Sequence, residues 1–289
     1  MSRTSKMIEG KAPVNDTDLY YVRVGEGLPC LVMHGGFGVD HTLLHPWLDP
    51  LGDVLHLVYY DHRCNGRSGR PPIETFTYDQ LVDDANELRK YLGFEKIVVI
   101  GHSIGGCVAL KYALRYPEYL SHLTLIDTAP AWDYNEEILA NVERKGTKEM
   151  IVAWNTPITT NEEYACFGEV AGPLYWHKFD AELHKRLGSK IVHNVEALNA
   201  EGVSVKNYNV VPRLGEIETP TLILVGKDDF ICPPSQAERM HKNIPNSEIV
   251  IFEQSGHTPY IEESDAFFAT VRRWLSKSRT YNARGKEAP

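Results

Sequence analysis

Residues 96–116 read KIVVIGHSIGGCVALKYALRY, and this stretch decides the fold class. Its first part, residues 97–100, is apolar and mostly β-branched, which is typical of a buried strand. Apolar residues then recur at helical spacing over 108–113, and Pro117 ends the pattern. The glycine-rich segment 101–106 between them therefore predicts a sharp turn from a strand into a helix.

Ser103 lies at the centre of this turn in a Gly-x-Ser-x-Gly pattern. Between a strand and a helix, that pattern predicts a nucleophile elbow, in which the serine hydroxyl is exposed above the end of the strand. A serine on so sharp a turn has a strained backbone, and the flanking glycines have no Cβ to clash with the neighbouring strand and helix. The alternative interpretation is an ordinary glycine-rich turn without chemistry.

The composition is ordinary for a soluble globular enzyme. The chain has 289 residues, of which 43% are hydrophobic and 24% charged, so one α/β domain with an insertion accounts for its length. The net charge of −9 argues against a nucleic-acid or anionic-membrane partner and favours a small neutral or weakly polar substrate. Neither a signal peptide nor a membrane span is recognisable, so we expect a cytoplasmic protein. The cysteines are scattered without C-x-x-C spacing and are interpreted as reduced thiols: Cys30, Cys64, Cys107, Cys166 and Cys232.

A second glycine cluster, His34-Gly35-Gly36-Phe37-Gly38, follows the apolar strand predicted over 30–33. Consecutive glycines after a strand allow backbone N–H groups to point at a bound oxygen, as an oxyanion hole requires. In hydrolases with this kind of elbow, one donor comes from this loop and the other from the residue after the nucleophile. We therefore assign the donors to the N–H groups of Phe37, to within one residue, and Ile104. The alternative is a flexible glycine turn.

Three polar residues with possible metal-ligand spacing precede the next strand. His41, His45 and Asp49 are spaced to lie on one face of a helix. Their amphipathic surroundings and the lack of a second cluster favour a solvated helix face over a metal site. We therefore predict neither a metal nor a cofactor.

The loop at 61–72 follows the strand predicted over 54–60 and contains glycines, prolines and arginines. It can be interpreted as a substrate contact or as a turn locked by Asp61 and Arg63. We favour the lock, because unpaired backbone groups at a strand end need partners. Upstream, the polar segment 1–17 predicts a loosely held terminus, and a strand is predicted over 19–24.

The alternation of strands and helices stops after the strand predicted at 123–126. Residues 131–212 read instead as aromatic-rich helices at about 134–145, 147–154, 161–170 and 180–200. We expect a helical cap here, inserted after the sixth strand, with residues 1–130 and 213–289 forming the core. Side chains of such a cap, together with the loops below it, could line a pocket, although packing of small helices explains most aromatic residues equally well. The candidate pocket residues are Gly36, Trp132, Trp154, Tyr164, Trp176 and Tyr260.

Two further polar motifs follow strands after the insertion. An apolar strand at 221–225 precedes GKDDFICPP, and a strand at 248–252 precedes Ser255-Gly256-His257. His257 is the candidate general base, because a tight turn after a strand can present it to the serine. We interpret His102 as packing and His34 as a structural hydrogen-bonder. A last helix is predicted over 266–276, followed by a charged tail.

The order of the motifs resembles that of capped α/β-hydrolases over residues 18–276. HGGFG, DHRCNGRS, GHSIGG, GKDDFICPP and SGHTPYIEE match the landmarks of that superfamily in order and spacing. The resemblance implies a mostly parallel twisted sheet flanked by helices and a triad of Ser103, Asp229 and His257. The acid of the family usually lies three residues after the glycine at the strand end, which favours Asp229 over the alternative, Asp228.

Within that superfamily, the chain is most similar to the prolyl-aminopeptidase-like hydrolases. HGGFG resembles their HGGPG, and DHRCNGRS resembles their DQRGxGRS. Three departures are that Phe37 replaces a proline, that Cys64 replaces a glycine, and that GHSIGG is closer to general esterases than to their GxSWG. Those peptidases hold the free amine of the substrate with cap carboxylates, for which the candidates are Glu162, Glu163 and Glu169.

The expected function is hydrolysis of a small carboxylic ester or lactone through an acyl-enzyme intermediate. No cofactor is required, because the nucleophile and the base are both side chains. One alternative is an aminopeptidase that releases N-terminal proline; a C–C bond hydrolase or an acyltransferase would use the same triad. Another is a non-catalytic ligand-binding protein on a hydrolase scaffold, whose usual signature is a broken triad. The expected partner is a small-molecule acyl substrate, and the oligomeric state stays open.

Overall fold

The computed structural model describes residues 7–204, 206 and 208–284, with side chains up to residue 277. The strands are β1 (Ile8–Val14), β2 (Thr17–Val24), β3 (Leu28–Met33), β4 (Leu55–Tyr60), β5 (Ile97–His102), β6 (Leu120–Ile126), β7 (Thr221–Gly226) and β8 (Ser247–Phe252). These strands form one sheet in the spatial order β1-β2-β4-β3-β5-β6-β7-β8. β1 and β2 pair antiparallel, as do β2 and β4, and all other neighbours are parallel. The predicted mostly parallel sheet is confirmed.

Helices flank the sheet and also fill the interval between β6 and β7. That interval begins and ends at neighbouring points, because Ala131 forms an isolated bridge with Asn209 and Val210 N donates to Pro130 O at 2.9 Å. The helices are α1 (Tyr78–Tyr91), α2 (Ile104–Arg115), α3 (Asn135–Lys145), α4 (Lys148–Asn155), α5 (Asn161–Ala171), α6 (Ala181–Gly188), α7 (Val195–Leu198), α8 (Pro234–Asn243), α9 (Pro259–Glu262) and α10 (Ser264–Arg284). The helices of the interval, α3 to α7, are called the helical insertion.

The central strands are buried on both faces. In β3, Leu31 and Met33 belong to one apolar cluster, whereas Cys30 and Val32 belong to a second cluster on the other side of the sheet. Helices on both faces explain why these strands read as continuous apolar runs rather than as alternating patterns. Polar side chains therefore concentrate beyond the carboxyl ends of the strands, where the candidate site lies.

Both ends of the chain differ from their predictions. The prediction that residues 1–17 are loosely held is wrong for the described residues of that segment. β1 pairs with β2 along its length, from Ile8 with Arg23 to Val14 with Thr17. An edge strand tolerates the glycine and proline that weaken its sequence pattern. The last helix is longer than the predicted 266–276, since α10 takes up most of the charged tail. The remainder of that tail, residues 285–289, lies outside the described residues.

The insertion also differs in one element. The single helix predicted over about 180–200 is two helices, α6 and α7. α6 ends at Gly188, and glycine favours helix ends over helix interiors. Asn194 then interrupts any continuation, because its backbone is extended and its Nδ2 donates to Cys64 O at 2.6 Å.

Candidate active site

Ser103 occupies a strained turn between β5 and α2. Its φ of 54° lies in the left-handed region, which costs a non-glycine residue free energy. The adjoining glycines are required by close packing: a Cβ on Gly105 would lie 2.2 Å from Met33 O, and one on Gly106 would lie 2.5 Å from Thr128. The turn therefore has the steric properties expected of an elbow, and Ser103 lies at the N-terminus of α2.

Asp229 and His257 form a buried pair beyond the ends of β7 and β8. His257 Nδ1 lies 2.7 Å from Asp229 Oδ2, and the residues are 4% and 2% exposed. The other carboxylate oxygen, Oδ1, accepts hydrogen bonds from the N–H groups of Ile231 and Cys232, both at 3.0 Å. Burial alone raises the pKa of Asp229, but His257 and these two N–H groups outweigh it and hold the pKa below its usual range.

Asp228, the alternative acid, points elsewhere. Its Oδ2 lies 2.5 Å from His177 Nδ1, and both side chains are 37% exposed. The geometry therefore selects Asp229 as the partner of His257.

The loop that carries His257 is anchored beside Ser103. His102, the residue before the serine, has its Nε2 3.0 Å from His257 O, and the two rings are 4.7 Å apart. Because a carbonyl oxygen only accepts, His102 carries its proton on Nε2 and donates it. Burial, followed by the neighbouring His257, lowers the pKa of His102 to about 3, so its ring stays neutral. His102, interpreted from the sequence as packing, thus also holds the backbone of His257.

The glycine loop after β3 packs directly against the serine. A Cβ on Gly35 would lie 2.6 Å from Ser103 Cβ. The N–H of Gly38 is engaged, since it donates to Asn65 Oδ1 at 2.6 Å. In the described part of the chain, the N–H groups of Phe37 and Ile104 make no hydrogen bond. These two amides are therefore available to a ligand oxygen near Ser103.

His34 lies beneath this loop, as the sequence indicated. Its Nε2 accepts a hydrogen bond from His62 N at 3.2 Å, so its Nδ1 carries the proton, and this atom lies 3.1 Å from Gly35 O. Burial lowers the pKa of His34. A neutral His34 therefore ties the glycine loop to the loop after β4.

Three of the sequence-predicted pocket residues lie around these groups. Tyr164 on α5 donates its hydroxyl to Phe37 O at 2.9 Å and lies close to Gly36, whose φ of 68° suits a glycine. Tyr260 on α9 is buried with its ring edge-on to His102 at 5.5 Å. Side chains distant in sequence thus enclose the serine and the glycine loop.

The three tryptophans take other positions. Trp154 packs on Phe167 and Phe230, with ring separations of 6.0 and 5.2 Å, and Trp176 packs on Phe179 and His184 at 6.4 and 6.3 Å. Aromatic packing accounts for both. Trp132 is partly buried and stacks on Tyr134 at 5.7 Å.

Tyr175 is one of the aromatic residues of the insertion that could line a pocket according to the sequence, and it lies against His257. Its ring is 5.5 Å from the His257 ring and 4.9 Å from that of Phe230, and its carbonyl oxygen accepts from His257 N at 2.7 Å. The only sequence signal was its place in the aromatic run of the insertion. Composition alone could not indicate that Tyr175, rather than Trp154, contacts His257.

Asp127, at the end of β6, is a second buried carboxyl group near the pair. Its φ is 46°, its Oδ1 accepts from Gly226 N at 2.9 Å, and its Oδ2 has no hydrogen-bond partner among the described residues. Burial, followed by the negative charge of Asp229, raises the pKa of Asp127 well above its usual value. Burial therefore favours the protonated form of Asp127 and leaves the negative charge on Asp229, whose pKa is lowered. An aspartate at a strand end was the available sequence signal.

The prediction that Asp61 and Arg63 lock the loop by contacting each other is wrong, because each side chain has other partners. Asp61 Oδ1 accepts from His41 N at 2.9 Å and lies 2.6 Å from His41 Nδ1, while its Oδ2 accepts from Arg67 N. Arg63 turns away and pairs with Asp84 on α1, at 2.5 and 2.7 Å. The loop is therefore held at two points, once by Asp61 and once by Arg63. A buried carboxylate and a buried guanidinium each need several hydrogen-bond partners.

The helix face predicted for His41, His45 and Asp49 is also wrong. One-turn 3₁₀ helices cover His41–Leu43 and Asp49–Asp53, and Pro46 between them has no N–H to continue a helix. His41 pairs with Asp61, whereas His45 Nδ1 lies 2.9 Å from Asp49 Oδ1.

Potential metal ligands coincide with these hydrogen-bonded groups. Within the described residues, three sets of His, Cys and carboxylate atoms lie within 4.8 Å of one another. Each set contains a pair already joined by a hydrogen bond, so we assign none of them to a metal. The sets are His102, Asp127 and His257; Asp229, Cys232 and His257; and Asp40, His41 and Asp61. In the part of the chain that the structure covers, every helix is too short or too polar to cross a bilayer.

Comparison with known proteins identifies the family. A family model described as alpha/beta hydrolase fold matches residues 29–162, and one described as TAP-like protein matches residues 198–287. The proline iminopeptidase of Clostridioides difficile is 30% identical, over 94% of this chain and 99% of the relative. Proline iminopeptidase PfmaB of Pestalotiopsis fici is 29% identical, over 91% and 98%. The structure of a thermophilic esterase from Thermogutta terrifontis, with malate bound, superposes with a TM-score of 0.72 at 27% identity, over 95% and 99%.

The chain belongs to the α/β-hydrolase family. Within it, the chain is a hydrolase similar to the proline iminopeptidases, as the motif resemblance indicated. The predicted family, fold and enzyme class are confirmed, and the substrates of this family are small molecules.

Proposed function

We propose that the protein hydrolyses small carboxylic esters or lactones through a covalent acyl-enzyme, with Ser103 as nucleophile, His257 as base and Asp229 as the acid that orients it. The buried hydrogen bond of 2.7 Å between Asp229 and His257, anchored through His102 beside Ser103, is the observation that carries the proposal. A nucleophile, a base and a residue that orients the base are what acyl transfer requires.

In the first step, His257 Nε2 takes the proton of Ser103 Oγ as that oxygen attacks the acyl carbonyl carbon. Asp229 accepts from Nδ1, so it fixes the tautomer and stabilises the imidazolium that forms. The N–H groups of Phe37 and Ile104 stabilise the oxyanion, each by about 3 kcal/mol if it behaves like other such donors. His257 then gives its proton to the leaving alcohol, and water repeats the cycle on the acyl-enzyme.

The exposure of the carboxylates considered for amine recognition favours an ester substrate over a substrate with an N-terminal amine. Glu162, Glu163 and Glu169 on α5 are all exposed. Glu163 is already engaged in a helix cap, since its Oε2 accepts from Thr159 N at 2.7 Å and from Thr160 N at 3.1 Å. Exposed carboxylates in water bind an ammonium group weakly.

The second candidate function is release of N-terminal proline, and the named activity of the relatives supports it. A p-nitrophenyl ester series assayed beside proline p-nitroanilide separates the two. We expect ester turnover that is lost in Ser103→Ala. Strong anilide turnover with negligible ester turnover would reject the ester proposal and leave the triad assignment intact.

The division into a core of residues 1–130 and 213–289 and a cap of residues 131–212 is part of the proposal. The bridge between Ala131 and Asn209 supports it, because the insertion begins and ends at neighbouring points. Hydrogen bonds from Tyr164 to Phe37 O at 2.9 Å and from His257 N to Tyr175 O at 2.7 Å join the insertion to the site. The net charge of −9 supports a small-molecule substrate without a nucleic-acid or membrane partner, and we assign the protein to the cytoplasm.

A further inference from the structure

Lys145, a half-buried residue at the end of α3, directs its ammonium group at three backbone carbonyl oxygens. Its Nζ donates to Asp228 O at 2.7 Å, to Leu174 O at 3.0 Å and to Trp176 O at 3.4 Å. An ammonium group has three N–H bonds and no acceptor, so these contacts use its whole hydrogen-bonding capacity. Burial lowers the pKa of Lys145, because the charged form loses solvation there.

Two of these oxygens belong to peptide groups next to residues that hold the proposed acid and base. Asp228 O is part of the peptide bond that joins Asp228 to Asp229, and Leu174 O is part of the bond that joins Leu174 to Tyr175. Tyr175 O accepts from His257 N at 2.7 Å. Because a peptide group is planar, fixing its oxygen also fixes the start of the next residue. One side chain of the insertion therefore holds the backbone on the acid side and on the base side.

The segment 174–178 is the part of the insertion that supports His257. A Cβ on Gly256 would lie 2.4 Å from Tyr175 O, so the turn before His257 packs directly on this segment. Glu262 on α9 holds its other end, since Oε1 accepts from the last two N–H groups of the segment at 2.8 and 3.0 Å. The Oε2 atom of Glu262 accepts from Gly256 N at 2.7 Å. The segment is therefore fixed at both ends around its contact with His257.

The contacts of Lys145 differ from those of an ordinary basic residue at a helix end. Such a residue commonly binds the last carbonyl groups of its own helix, whereas Lys145 binds three oxygens from other segments. Arg89 in the last turn of α1 is a matched cation, because its Nη1 donates to Phe94 O at 2.6 Å and to Glu95 O at 3.3 Å. Those oxygens precede β5, at the end of the strand opposite to Ser103.

We propose that Lys145 is a positioning residue for the proposed hydrolysis, because it holds the segment 174–178 and the peptide bond before Asp229 and so keeps Asp229 and His257 aligned with Ser103. The inference rests on the proposed function. Lys145 acts through the acid and the base, so its loss should lower kcat and leave KM nearly unchanged.

Lys145→Met tests the role, because methionine has a similar length and cannot donate a hydrogen bond. On the best p-nitrophenyl ester, we expect kcat to fall about 10- to 100-fold, since displacing a reacting group by about 1 Å can cost about 10²-fold. Arg89→Met loses backbone contacts of the same kind away from the site and should keep both kcat and KM. Each variant is assayed below its own unfolding temperature, and circular dichroism confirms that it is folded.

Hydrogen exchange gives a second measurement that needs no turnover. Mass spectrometry of peptides that cover residues 255–258 reports how firmly the His257 N–H is held by Tyr175 O. In Lys145→Met, we expect exchange in this turn to be about tenfold faster, the effect of losing about one hydrogen bond of local stability. In Arg89→Met, exchange in this turn should match that of the natural protein.

The outcomes separate this inference from the proposed function. Unchanged kcat and unchanged exchange in Lys145→Met, or a change confined to KM, overturns the positioning role and leaves the hydrolase proposal intact. Equal losses in Lys145→Met and Arg89→Met overturn it as well, because they would reflect general destabilisation.

If the natural protein turns over no ester, the proposed function fails, and the exchange comparison alone decides whether Lys145 holds the His257 turn. If Lys145→Met does not fold, Glu262→Gln takes its place with the same expected results. Glutamine keeps one of the two oxygens that bind the segment 174–178 and Gly256, so one of these contacts is lost.

Discussion

Two neighbouring aspartates, Asp228 and Asp229, each contact a histidine, and the two pairs differ in burial and in the partners that hold them. Both oxygens of Asp229 have partners, and His257 is held by its ring and by its backbone. Asp228 Oδ2 lies 2.5 Å from His177 Nδ1, and both of these side chains are 37% exposed. The difference teaches that the buried pair has the fixed geometry that orienting a base requires, whereas the exposed pair is open to solvent.

Removing the negative charge of Asp229 should have the largest effect on turnover. Asp229→Asn cannot hold His257 in the required tautomer or stabilise its positive form, so kcat should fall about 10⁴-fold. The matched control is Asp228→Asn, whose partner is the half-exposed His177. Steady-state kinetics on the best ester measures both. Equal losses of kcat in the two variants would contradict the assignment of Asp229, rather than Asp228, as the acid that orients His257.

A smaller effect is expected where the insertion holds the glycine loop. Tyr164→Phe removes the hydrogen bond to Phe37 O, which orients the peptide bearing one proposed oxyanion donor. We expect kcat to fall about fivefold, consistent with one neutral hydrogen bond, with little change in KM. Tyr59→Phe is the control, because its hydroxyl donates to Asp49 at 2.9 Å. A loss confined to KM would assign Tyr164 to substrate binding instead.

The smallest effect concerns the proton on Asp127. Its folded-state pKa is raised by burial, so its contribution to stability is fully present below the ordinary pKa of an aspartate and is lost as the pH rises toward the folded value. Asp127→Asn has no proton to lose. The Tm of this variant minus that of the natural protein should therefore increase by a few degrees between about pH 4 and about pH 8.

Calorimetry or tryptophan fluorescence at several pH values provides this difference. A difference in Tm that does not change with pH would mean that burial does not raise the pKa of Asp127 in the folded protein.

The elements that the sequence predicted correctly depend on local chain properties. An apolar run, a glycine-flanked serine and a helical repeat determine the turn at Ser103 whatever packs around it. The order of the strand-end motifs then places Asp229 and His257 at one edge of the sheet, because parallel strands bring their carboxyl ends together. Local pattern and motif order therefore suffice to predict the fold class and the candidate triad.

What the sequence missed depends on contacts between distant segments. Arg63 pairs with Asp84 rather than with the nearby Asp61, and β1 exists because β2 offers it an edge. Tyr175 and Trp154 belong to the same aromatic run, yet only Tyr175 lies against His257 in a ring contact. Sequence spacing describes neighbours along one element and carries no information on which aromatic face meets which partner.

The measurement that tests the central claim most directly is covalent trapping of the nucleophile. The natural protein and Ser103→Ala are incubated with an aryl alkylphosphonate ester, and the intact mass and the modified peptide are determined by mass spectrometry. We predict one adduct per chain, on Ser103, that forms more slowly in Asp229→Asn and is absent from Ser103→Ala. An adduct on another residue, or equal labelling of Ser103→Ala, would contradict the account.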